Sequence, residues 1–152
     1  MADRVSASIE IGGTITAAQF DRLCELIARY DLGVDWDGEP FARELLREGK
    51  PLRLCAHETS WGCFNDLEQY CCDEGIAYRR WSGACPGSFG AERVVHDGKS
   101  GPLNFAVDDN DTVVLDESMI GRLGSMRAIR RYLAEAEIEL LPFAVVEVLP
   151  TA

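Results

Sequence analysis

The chain has 152 residues, with 26 acidic and 15 basic side chains and a formal net charge of −11. That charge opposes the phosphate neutralisation on which non-specific nucleic-acid binding rests, and it opposes adhesion to an anionic membrane surface. With 47% apolar and 27% charged residues, the composition is that of a folded domain able to bury a core without disulfide or metal staples. No stretch approaches the roughly 20 apolar residues of a membrane-spanning helix.

Met1-Ala2-Asp3-Arg4 runs straight into an alternating pattern and lacks the basic start and apolar run of a secretion signal, so a cytoplasmic location is expected. Ser6 to Ile11 alternates, with Ile9 and Ile11 on one face, and reads as a strand. Gly12-Gly13 breaks it. Thr16 and Gln19 have the spacing of a capping box, and Ile15 is placed to staple onto Phe20. Phe20, Leu23, Cys24 and Ile27 form an apolar stripe at helical spacing. Gly33 is expected to close this helix with a positive φ, and Leu32, Val34 and Trp36 then alternate as a short strand. Pro40 suits the first turn of a short helix that buries Phe41, Ala42, Leu45 and Leu46 and ends at Gly49.

The next stretch repeats the first in outline. Leu52 and Leu54 alternate in a strand, Ser60 is the expected N-cap, and Phe64 and Leu67 take the helix positions of Phe20 and Leu23. Gly75 ends the helix and Ile76 to Trp81 returns as a strand, where Trp81-Ser82-Gly83 echoes Trp36-Asp37-Gly38. Ser82 to Gly90 is a loop by composition. A meander follows, with strands at Arg93–His96, Leu103–Val107 and Thr112–Asp116 and turns at Asp97-Gly98 and Asp108 to Asp111. Ser118 opens a helical turn that Gly124 breaks. Ser125 recaps a helix with Met126, Ile129, Leu133 and Ala136 on its inner face. Phe143 to Val148 is an apolar closing strand suited to the centre of a sheet. The expected fold class is α+β in layers, a mixed β-sheet packed by helices and loosely ferredoxin-like, with residues 1–152 forming one domain.

Motif spacing excludes several chemistries. Gly98-Lys99-Ser100 ends like a phosphate-binding loop, but Arg93 stands where the first glycine belongs, and Pro102 and a strand follow instead of a helix. The aspartates from Asp108 to Asp116 lack the ligand spacing of a calcium loop. Cys55 and His57 share a strand face, yet no second ligand pair follows at zinc spacing, so no metal and no cofactor are expected. The six cysteines, several on apolar faces, read as reduced core residues.

The constellation with most chemical promise is His57, Glu58, Trp61 and Cys63, on the way from a strand into a helix. In the first helical turn the free N–H groups favour a thiolate at Cys63, and His57 is a candidate base. Trp61 and Trp81 are candidate binding residues. So are Arg127 and Arg131, which share a helix face in an otherwise acidic chain; Arg131 also has the spacing to pair with Glu135. The expected function is a non-enzymatic accessory or protein-interaction domain, whose partner is another protein or a second copy, with neither nucleic acid nor membrane bound. The alternative is a small ligand-binding protein or thiol-dependent enzyme using a cleft around Cys63.

Overall fold

Strand β1 (Arg4–Gly12) organises the molecule, because its alternation gives it two unlike faces. Ala7, Ile9 and Ile11 are fully buried, while Ser6, Ser8 and Glu10 between them are only partly so. The computed structural model describes residues 3–147. In it β1 pairs antiparallel on one side with β3 (Leu52–Ser60) and on the other with β4 (Ala77–Ser82). Strands β5 (Glu92–His96) and β6 (Leu103–Ala106) continue the sheet beyond β4 in the order β3-β1-β4-β5-β6, every pairing antiparallel. The parallel pairing is elsewhere, between β2 (Thr14–Thr16) and β7 (Ala144–Val146). The architecture is α+β.

Helices α1 (Ala17–Arg29) and α2 (Asn65–Asp73) cover the apolar face. Phe20, Leu23 and Leu67 from the helices close over Ile9, Ile11, Leu54 and Tyr78 from the strands. The helix α1 begins as its sequence spacing dictates. Thr16 Oγ1 accepts from the Gln19 N–H at 3.1 Å and Gln19 Oε1 accepts from the Thr16 N–H at 2.9 Å, so two otherwise orphaned donors are satisfied. Thr16→Ala should therefore lower stability by about 1 kcal/mol. Denaturant melts read this directly, and an unchanged midpoint would show that the cap is dispensable.

On the opposite face, α4 (Met126–Ala136) covers the β5–β6 end, where Val95, Phe105 and Ala136 form a smaller cluster with Tyr132 and Ile138. It follows α3 (Glu117–Leu123), which is capped by Asp116 and not by Ser118. Gly124 takes the left-handed conformation, and Ser125 caps α4 as expected. Among the described residues no helix is long and apolar enough to cross a membrane.

Several elements depart from expectation where long-range contacts claim the backbone. Asp31 (φ 52°), and not Gly33, is the left-handed residue after α1. Gly33 exchanges two backbone hydrogen bonds with Cys55 (3.0 and 2.8 Å), so residues 32–41 form a flap along the β3 edge instead of an independent strand. The expected helix after Pro40 shrinks to a single 3-10 turn, Arg43–Leu45, because the Phe41 N–H is drawn across to the Leu32 carbonyl at 2.8 Å. Strand β3 runs on to Ser60, so Ser60 does not cap α2; the Phe64 N–H is capped by Glu68 Oε2 at 2.7 Å. The turn between them uses positive φ at Trp61 (60°) and Gly62 (70°), and a Cβ on Gly62 would lie 2.6 Å from that of Ser82. Thr112–Asp116 reduces to a single bridge, Val107 to Val113. On α4 only Ala136 is fully buried, and Met126 is 62% exposed. The closing strand is the short β7 beside β2, at an edge and not at the centre of the main sheet; Val148 lies outside the described residues.

Two arginines are more buried than many apolar residues. Arg80 of β4 falls on the helix face, where its guanidinium donates to Glu68 (2.7 Å), the Gly62 carbonyl (2.6 Å), Ser82 Oγ (3.1 Å) and Glu92 (3.1 Å). Arg93 of β5 falls on the opposite face. It donates to Asp111 Oδ1 (2.8 Å), the Asp111 carbonyl, the Ala136 carbonyl (2.9 Å) and Glu137 (2.8 Å).

Candidate functional site

On the face opposite α1 and α2, the polar positions of β1 are left beneath a cleft of about 430 Å³ to which no helix contributes. Its floor is Ser6, Ser8 and Glu10 of β1, Arg53 and His57 of β3, and Trp81 of β4. Strand registry explains the set. Ser8 lies between Cys55 and Trp81, and Glu10 between Arg53 and Arg79; of these neighbours Trp81 and Arg53 line the cleft, while Cys55 is buried and Arg79 turns to Asp111. Beyond Ala56 a bulge sets His57 and Glu58 together against Ser6, with the Ser6 hydroxyl donating to the His57 carbonyl at 3.0 Å. The extra residue leaves His57 on the open face and returns Thr59 to the buried one.

The walls are two loops. The flap of residues 32–41 brings in Trp36, whose carbonyl meets His57 Nε2; Asp37 lies 4.0 Å from the same nitrogen. From the other side comes the turn at Asp108 to Asp111. Asp108 Oδ1 accepts from the N–H groups of Asn110 and Thr112, both at 2.9 Å, which is the local closure expected of an Asx turn. Arg93 pins the left-handed Asp111 (φ 60°) to the sheet. Trp81 ties floor to wall by donating Nε1–H to the Asp108 carbonyl at 3.2 Å. Trp36 and Trp81 meet edge to face, their rings 6.2 Å apart at 85°, the arrangement that indole quadrupoles favour.

No protein-family model, curated protein or solved structure matches this chain. Function is therefore read from the chemistry of the cleft itself.

Of the residues singled out in the sequence, His57 and Trp81 line this cleft. Glu58 is exposed beside them in the bulge. Trp61 stands outside it, 53% exposed and packed against Phe89 with ring centroids 6.1 Å apart. Arg127 and Arg131 are exposed on α4, the latter 3.6 Å from Glu135, and neither enters the cleft.

Cys63 precedes α2 by two residues instead of occupying its first turn, because β3 is longer than its sequence suggested. Its thiol donates to the Trp61 carbonyl at 3.3 Å. Burial pushes the thiol above its ordinary range; Arg80 pulls it back, and Glu68 and Glu92 add to the rise. His57, which engages Trp36, is not among the charges acting on it. All six cysteines carry free thiols. Cys63 should accordingly alkylate slowly with iodoacetamide at about neutral pH, and His57→Ala should leave its rate unchanged. Mass-resolved labelling checks both, and fast labelling at Cys63 that slows in the histidine variant would reverse the assignment.

Among the described residues no group of three or more His, Cys, Asp or Glu side chains is placed to hold a metal ion. Sequence reasoning missed Trp36, Ser6, Ser8, Glu10, Arg53 and the Asp109–Asp111 wall as site residues. Two signals for them were present. The polar half of the β1 alternation marks the floor, and the Trp-Asp-Gly and Trp-Ser-Gly echo marks the two tryptophans that meet.

Proposed function

We propose that this protein is a non-enzymatic interaction module that engages a protein partner through the cleft over β1. The observation that carries the proposal is the Trp36–Trp81 pair, two large amphipathic side chains brought from distant segments to the mouth of an open polar groove. Tryptophan is enriched among the few residues that supply most of the binding energy of protein interfaces, because it covers much area with few rotatable bonds. The rigidity of the pair adds to this. The His57 ring packs on the Trp36 indole with centroids 5.5 Å apart and the Asp108 carbonyl accepts from the Trp81 indole N–H, so less side-chain entropy is left to lose on association.

A second reading has one observation in its favour. The cleft volume of about 430 Å³ lies within the range of small-molecule sites, so a ligand in place of a protein surface would fit the same groove. A thiol-dependent activity at Cys63 draws no support from the neighbours of that residue.

The test is a random peptide display library panned on the protein, with the Trp81→Ala variant as counter-selection and as binding control. Selected peptides should lose at least about thirtyfold in affinity on Trp81→Ala, the scale of a hot-spot truncation, while the thermal midpoint of the variant stays close to that of the parent. Peptides that bind parent and variant equally would place recognition elsewhere and overturn the proposal.

A further inference from the structure

The charge around the tryptophan pair narrows the partner. Glu10 and Asp109 line the cleft, yet among the described residues neither carboxylate has an ion-pair partner within 4.0 Å or a side-chain hydrogen bond. Glu10 has arginines on both sides in strand register, Arg53 and Arg79. The Arg79 guanidinium is turned away to Asp111 at 3.4 Å and Glu137 at 3.8 Å. Arg53 pairs in register with Glu10, two residues along β1 from the Ser8–Trp81 pair, so the groove carries one guanidinium of its own at the Glu10 end and aromatic faces with the Asp109 carboxylate at the Trp81 end. The perpendicular indoles form a corner, not a stack; the His57 ring packs on Trp36 with centroids 5.5 Å apart, and both indoles keep part of their surface exposed to a third group. A cation is what an aromatic face and a carboxylate recognise together, and a planar guanidinium satisfies both, lying on the ring while its N–H fork meets the carboxylate. A net charge of −11 on the whole chain would steer a basic surface toward it.

We infer that the cleft takes an arginine side chain projecting from a basic surface of a protein partner, with the guanidinium against Trp36 and Trp81 and between Glu10 and Asp109. The inference rests on the interaction reading above and specifies its chemistry.

The test uses the indole N–H signals of the 152-residue chain in a heteronuclear NMR titration, in which Trp61, outside the cleft, serves as internal control. An arginine-containing glycine–serine peptide is compared with its citrulline counterpart, which keeps the planar shape and loses the charge. The arginine peptide should shift the Trp36 and Trp81 signals saturably and leave Trp61 in place. The citrulline peptide should bind at least about tenfold more weakly. Glu10→Gln and Asp109→Asn should each weaken the arginine peptide by up to about fivefold, as exposed charge pairs do, and by less at high salt. Equal shifts from both peptides, or no saturable shift at Trp36 and Trp81, would overturn the inference. The two ideas fail separately. Library peptides that depend on Trp81 but carry no basic residue would remove the arginine and keep the cleft; peptides indifferent to Trp81 would remove the cleft.

Discussion

Arg80→Ala is expected to destabilise the protein by about 3–5 kcal/mol, the cost of leaving a buried charge without its counter-ion. The Arg80 side chain is 4% exposed and that of Glu68 is 12% exposed. Glu68 spends one oxygen on Arg80 and the other on the Phe64 N–H, so loss of the guanidinium strands a carboxylate that also caps α2. The Gly62 carbonyl and Ser82 Oγ lose a donor in the same step. Desolvation works against the Arg80 charge, but Glu68 and Glu92 outweigh it and raise the pKa of the guanidinium above its ordinary value. Deleting both members of the pair removes the stranded charge. The double variant Arg80→Met with Glu68→Met should therefore recover more than half of the loss, in keeping with the weak net value of buried pairs against apolar replacements. Urea melts of the two single variants and the double variant form the cycle. A loss below about 1 kcal/mol for Arg80→Ala would mean that water reaches Glu68.

Arg93→Ala should cost about 3 kcal/mol, at the low end of the same range because Arg79 remains beside Asp111. Arg93 is 2% exposed and joins three segments: β5, the end of α4 through the Ala136 carbonyl, and the turn that walls the cleft through Asp111. The effect should reach the site, so peptides that depend on Trp81 should also weaken in this variant.

It carries a pH signature as well. The hydrogen bond from Arg93 holds the Glu137 carboxyl below the usual carboxylate range; burial opposes it, and the charges of Arg93 and Arg79 add to the lowering. A carboxyl depressed in the folded state stabilises the fold above its unfolded value of about 4.3, and that contribution is lost as pH falls through the folded value. The Glu137 side chain is 61% exposed, so its share is small. The gap in stability between parent and Arg93→Ala should narrow as pH drops from about 7 to about 3. A gap that widens would contradict the assignment.

Both arginines show where sequence reasoning stops. Period-two alternation identifies the strands that carry them, and Arg80 sits on the same parity as buried Tyr78. Nothing local states that a guanidinium on that face will find Glu68 twelve residues earlier, or that Arg93 will reach Glu137 at the far end of α4. The same holds for the cleft. The polar half of β1 was legible as alternation, but the meeting of Trp36 with Trp81 depends on a flap that leaves α1, docks on the β3 edge and returns.

Sequence by itself determined what backbone geometry makes local. It specified the two-faced β1, the Thr16–Gln19 cap and apolar stripe of α1, the glycine stops at Gly75 and Gly124, the hairpin turn at Asp97-Gly98 and the α+β class. Each depends on residues within a turn or two of one another, where periods of 2 and 3.6 and a few capping hydrogen bonds dominate. Tertiary structure alone decided the length of β3, and with it the removal of Cys63 from the helix start. It also converted the expected strand at Leu32 to Trp36 into the flap, reduced the expected helix after Pro40 to a single turn, placed the bulge at His57 and Glu58, and gave the closing strand its edge position. In each case a hydrogen bond or apolar contact to a distant segment outweighed a local preference, which amounts to no more than about 1 kcal/mol per residue for any residue but proline and is easily overridden by burial.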